Sequence, residues 1–128
     1  MNAPRFRAVS PIFQVDVLER GIDFYTRVLG FELAWTWGTP PDRASLCRDA
    51  VEITLETRQL GEAACTSHVY LQVERIDEYY AAITSAGARV KTPLADRVYG
   101  MRDCRVLDPD ANELSIGESI SREGRKDR

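Results

Sequence analysis

The chain is 128 residues long, 44% hydrophobic and 29% charged, a length that buries about 65–70% of the unfolded surface in one core without disulfide or structural metal. Its net charge of −3, with the 17 Lys and Arg scattered, lacks the basic footprint of a nucleic-acid binder, and no signal core or run of about 18 apolar residues appears, so a soluble, cytoplasmic protein with no membrane partner is expected. Three cysteines without CxxC spacing (Cys47, Cys65 and Cys104) fit a reducing compartment, and a single histidine, His68, excludes a three-histidine zinc site within one chain.

Residues 11–15 alternate in the manner of a half-buried strand. Ile22, Tyr25, Val28 and Leu29 then recur at helical spacing, and Gly30 supplies the left-handed cap that ends such a helix. A strand-like run over 31–37 leads to the break Pro40-Pro41-Asp42, and an alternating strand follows at 52–55. The series then starts again. Residues 69–73 read as a strand, Ile76, Tyr79, Tyr80 and Ile83 as a helix closed by Gly87, and 88–91 and 113–116 as strands. Asp108-Pro109-Asp110 precedes the last of these. The two carboxylates look like an acid–base pair, but a turn accounts for both through side-chain bonds to nearby amides. The segment 119–128 has little to bury and is expected to remain a flexible tail.

This restart is an internal repeat. Phe13-Gln14-Val15 matches Leu71-Gln72-Val73, and Ile22-Asp23-Phe24-Tyr25 matches Ile76-Asp77-Glu78-Tyr79. Each half therefore runs strand, helix, then three strands. Alternation puts Phe13, Val15, Ile53 and Leu55 under one helix and Val69, Leu71, Val73, Leu114 and Ile116 under the other. The opposite faces then carry Ser10, Ile12, Gln14, Glu52, Thr54 and Glu56 in the first half. In the second they carry His68, Tyr70, Gln72, Glu113 and Ser115. A sheet with a helix on one side only must face water or curl around something on the other.

The segments FYTRVLGF at 24–31, HVYLQV at 68–73, AAITSAGARV at 81–90 and GMRDCRVLDPDANELSI at 100–116 resemble the vicinal oxygen chelate superfamily of glyoxalases, extradiol dioxygenases and bleomycin-resistance proteins. The resemblance covers roughly residues 8–118 and is nearest to the bleomycin-resistance-like branch. It implies an α+β fold of two tandem βαβββ modules, about 7–57 and 66–118, forming curved mixed sheets with helices on the outer face, within one domain over 1–118.

Enzymes of this superfamily hold a divalent metal with side chains from the first and fourth strands of the modules. Carried onto this chain, those positions are Ser10, Thr54, His68 and Ser115. Only His68 is a competent ligand, because neutral hydroxyls are weak donors to zinc, nickel, manganese or iron. No metal or other cofactor is therefore expected. Glu52, Glu56 and Glu113 share the same face and are the residues that would complete a metal site. A nucleophile pairing His68 with Cys104 or Ser115 has no supporting motif.

What remains is a surface with binding character. Trp35 and Trp37, read as sharing one face with Phe31 and Leu33, offer either packing or a planar wall for a ligand. Tyr70 points inward beside His68, and Tyr99 and Arg102 flank a glycine in a segment suited to gating a pocket. The expected ligand-binding set is His68, Tyr70, Trp35, Thr54, Ser115, Ser10, Arg102 and Tyr99. The function implied is metal-free sequestration of a small molecule by a homodimer, with no assigned catalytic residue. The net acidity suits a cationic ligand. The alternatives are a metal-dependent glyoxalase-like lyase or extradiol-type dioxygenase, and a metal-free enzyme with His68 as general base.

Overall fold

The computed structural model describes residues 3–120. The expected tail lies outside the described residues from 121 onward, and Ser119 belongs to the last strand.

The first module comprises β1 (Ile12–Val15), a helix α1 (Leu18–Asp23) continuing without interruption over Phe24–Val28, β2 (Glu32–Trp37), β3 (Arg43–Arg48) and β4 (Val51–Thr57). The second comprises β5 (His68–Gln72), α2 (Ile76–Ser85), β6 (Arg89–Asp96), β7 (Met101–Leu107) and β8 (Glu113–Ser119). Each sheet has the order first, fourth, third, second, with the first pair parallel and the others antiparallel. The repeated order strand, helix, three strands is thus realised as two mixed four-stranded sheets. Among the described residues no helix is long and apolar enough to cross a membrane.

The helices end where the glycines predict. Gly30 and Gly87 have φ of +77° and +102°, which side chains with a Cβ rarely adopt. The end of the first helix departs from α geometry: Leu29 N donates to Phe24 O across five residues, a π turn. That extra residue turns both Phe24 and Tyr25 inward.

Phe13, Val15, Ile53, Leu55, Leu114 and Ile116 are buried under the helices, as the alternation implies. Leu71 and Val73 are only half-buried. They border a cleft of about 1060 Å³, shared with Phe31, Val51 and Tyr79.

The helix sides of the two modules face each other within the chain. Tyr25 Oη donates to Asp108 Oδ2 at 2.9 Å, Tyr79 Oη donates to Leu29 O at 2.6 Å, and the Arg48 guanidinium sits 5.2 Å over the Tyr79 ring. Each helix covers one face of its own sheet and keeps an exposed outer side, as the resemblance implies. The open sheet faces are the ones opposite the helices.

Candidate functional site

Residues paired directly across strands share a face of the sheet. In the second module one row runs Tyr70, Ser115, Arg105, Thr92, and the next begins His68, Glu113, Leu107. In the first module the matching rows run Ile12, Thr54, Ser45, Trp35 and, beside it, Glu52, Cys47, Glu32. Thr54 and Ser115 occupy equivalent places, as do Glu52 and Glu113.

Around Glu113 the second module gathers cations. Lys91 Nζ lies 2.7 Å from Oε1, and Arg105 Nη1 and His68 Nε2 each lie 3.4 Å from Oε2. The Lys91 hydrogen bond, with the charges of His68, Lys91 and Arg105, holds the Glu113 carboxyl below its usual range against the opposing effect of burial. His68 Nε2 also shares a 2.7 Å hydrogen bond with Ser115 Oγ. Beside this cluster, Asp103 Oδ2 accepts from the hydroxyls of Tyr70 and Tyr99, both at 2.8 Å, and Oδ1 accepts from Arg97 Nε at 2.8 Å. Burial alone pushes the Asp103 carboxyl up, but the three donors more than reverse this and leave it lowered. The Tyr70 phenol is pushed well up, by burial first and then by the Asp103 bond and charge, so it remains a donor at any neutral pH.

The first module treats its equivalent carboxylate differently. Glu52 accepts from the Ser45 hydroxyl at 2.5 Å and from the Ser10 hydroxyl at 2.9 Å, and these bonds lower its pKa with no cation in contact among the described residues. Glu56, further along the strand, is paired with Arg43. Trp35 and Trp37 stand on the same face, 43% and 68% exposed.

The expected ligand-binding residues thus separate into two groups. His68, Tyr70 and Ser115 come together, with Tyr99 joined to Tyr70 through Asp103. Thr54 and Trp35 share the other sheet, which Ser10, just before β1, joins through its bond to Glu52. Arg102 belongs to neither group: it pairs with Asp77 of α2 at 2.8 Å and with Asp96 at 3.1 Å, on the helix side of β7. Strand alternation gives the reason, because Asp103 and Arg105 are the β7 residues that face Gly117 and Ser115. The grouping of Trp35 and Trp37 with Phe31 and Leu33 is also corrected. A bulge between Leu33 and Trp35 leaves Leu33 opposite the core residue Leu46 and turns the tryptophans to the open face. Lys91, Arg97, Asp103 and Arg105 emerge only from the structure. Arg105 was within reach of an antiparallel partner count from Ser115, whereas Lys91 depends on the irregular register of β6.

A divalent metal does not fit these residues. Ser10 is engaged with Glu52, and His68 with Ser115. Glu113 already has two cations and an imidazole beside it, which would repel an incoming ion. Among the described residues no group of three or more His, Cys, Asp or Glu side chains is arranged to hold one.

A family model described as Glyoxalase/Bleomycin resistance protein/Dioxygenase superfamily matches residues 8–116. Among solved structures the chain is similar to TioX from Micromonospora sp. ML1, with 20% identity and a TM-score of 0.78 over 90% of this chain and 100% of that one. It is similar to a member of the glyoxalase/bleomycin resistance protein/dioxygenase superfamily from Sphaerobacter thermophilus DSM 20745, at 23% identity and TM-score 0.77 over 90% and 98% of the two chains. It is also similar to a lactoylglutathione lyase from Agrobacterium tumefaciens, at 17% identity and TM-score 0.75 over 91% and 96%. At these identities the likeness establishes a shared fold. No curated protein sequence matches the chain.

Proposed function

The chain belongs to the glyoxalase/bleomycin resistance protein/dioxygenase superfamily, and within it we propose a metal-free protein of the bleomycin-resistance type that sequesters a small molecule in a cleft between two copies. One observation carries this reading: each chain has two open faces, with Ile12, Trp35 and Trp37 exposed on one and His68 and Tyr70 exposed on the other. Neither face alone encloses a ligand. A second copy encloses two when the first-module face of each chain closes over the second-module face of the other, and a two-fold axis makes the two clefts equivalent.

Charge favours that pairing. The first-module face carries Glu32, Glu52 and Glu56 against Arg43, and the second carries Lys91, Arg97 and Arg105 against Asp103 and Glu113. The faces are therefore of opposite sign, which draws unlike faces together and keeps like faces apart. Trp35, Trp37 and Ile12 would be covered in the process. Trp37→Lys, at an exposed position with no core role, removes apolar area and sets a cation against the basic face, and is expected to convert a dimer to monomers in light scattering. A wild-type monomer, or a variant dimer as stable as wild type, would contradict the pairing.

The metal-free part has its own test. Elemental analysis of protein purified without chelator is expected to find less than about one divalent ion per ten chains, because the hydroxyl-rich donor set competes poorly with water. A stoichiometric ion that survives gel filtration would favour a metal-dependent lyase or ring-cleaving dioxygenase instead.

A further inference from the structure

We propose that the second-module face is an oxyanion site, so that the sequestered molecule is planar and carries a carboxylate, phenolate or phosphate group. This rests on the reading of the open faces as the walls of a ligand cleft. It differs from the expectation drawn from net charge alone, because the field at the site is set by nearby groups and not by the total of −3.

The internal repeat supplies the comparison. Glu52 and Glu113 occupy the same place in the two modules, and Ser45 and Arg105 likewise. In the first module neutral hydroxyls satisfy the carboxylate. In the second, two full cations and an imidazole converge on a single negative charge. One carboxylate cannot neutralise both cations, so a positive charge is left facing the cleft. Arg97 does not change this balance, because Asp103 takes it up at 2.8 Å.

Arg105 is the donor best placed to use that surplus. Its ion pair with Glu113 is 3.4 Å long, and among the described residues its guanidinium makes no hydrogen bond, whereas those of Arg20, Arg43, Arg48, Arg97 and Arg102 all do. Its side chain is 44% exposed and stands in the row between Ser115 and Thr92, on the open face. A guanidinium offers paired donors matched to a carboxylate or phosphate edge, and Lys91 adds charge beside it. Across the assembled cleft, Trp35 and Trp37 supply flat apolar area for the rest of the ligand.

Calorimetry with naphthoate, naphthalenemethanol and naphthylmethylamine, three probes of one shape and different charge, tests this on the full-length protein at low salt. Naphthoate is expected to bind about tenfold tighter than the alcohol, with the amine weakest. Arg105→Ala should bring naphthoate to the level of the alcohol and leave the alcohol unchanged, while Arg105→Lys retains part of the preference. Equal affinity for all three probes, or preference for the amine, would overturn the oxyanion assignment and leave the cleft as a ligand site. A preference for naphthoate that persists in Arg105→Ala would overturn the role of Arg105. Binding of none of the three would overturn both the assignment and the cleft reading.

Discussion

Asp108→Ala is expected to lower the unfolding free energy by about 3–5 kcal/mol, the range for breaking a fully buried, hydrogen-bonded charge network. Asp108 is 1% exposed and both oxygens are occupied twice. Oδ1 accepts from the backbone amides of Asp110 at 2.8 Å and Asn112 at 2.9 Å. Oδ2 accepts from the Tyr25 hydroxyl and from Asn112 Nδ2, both at 2.9 Å. Asn112 in turn donates to Gln14 O and accepts from Ser67 N, so one carboxylate ties β1, the first helix and the entrance to β5 to the turn before β8. The alanine variant would leave a buried phenol and a buried amide without acceptors, each costing about 1–3 kcal/mol. Burial, with the Asp108 charge beside it, pushes the Tyr25 phenol far up, so it donates wherever the protein is folded. Tyr25→Phe removes one of those donors together with its need and should cost about 1–2 kcal/mol. Denaturant titration of both variants and of the double variant measures the coupling, and a loss below about 1 kcal/mol for Asp108→Ala would show that the turn does not fasten the modules.

The turn itself was visible in the sequence, and its second role was not. Proline and aspartate spacing explains why Asp108 bonds the amides two and four residues on, whereas its bond to Tyr25 joins residues 83 apart. The same division holds through the molecule. Repetition of short patterns was enough for two modules, for both glycine caps and for the buried rows under each helix except Val69, Leu71 and Val73, which are half-buried. Alternation also identified His68, Tyr70 and Ser115 as neighbours, since β5 and β8 pair in plain parallel register. It failed where backbone irregularity shifts parity: at the bulge in β2 that turns Trp35 away from Leu33, and in β6, where Pro93 sits within the second of two register shifts of an edge strand. Alternation also states which face a residue takes and never which module lies opposite. That the modules meet through their helix sides follows from packing among Tyr25, Leu29, Arg48 and Tyr79, whose partners are distant in sequence.

Gly117→Ala is expected to cost about 2–4 kcal/mol, through overpacking and the loss of a buried hydrogen bond. A Cβ at this position would lie 2.3 Å from Tyr70 Oη and 2.7 Å from Asp103 Cβ. The backbone is not in the left-handed region, so the strain is one of space alone. Tyr70 lies across Gly117 to reach Asp103 from the neighbouring strand, and a methyl group there must displace its hydroxyl. The first module has no such crossing: its counterpart positions are Ile12 and Glu56, and Glu56 instead extends to Arg43. Displacing Tyr70 takes one of three donors from Asp103, which is 3% exposed and depends on them to remain charged. If the cost is steric, Tyr70→Ala should relieve it, so the double variant should lose less than the two single losses added together. If the losses simply add, Gly117 is needed for something other than the crossing of Tyr70. The double variant would fold with the Arg97–Asp103 pair in place and the phenol gone. Comparing its naphthoate affinity with that of wild type then isolates what Tyr70 contributes to the wall beside Arg105.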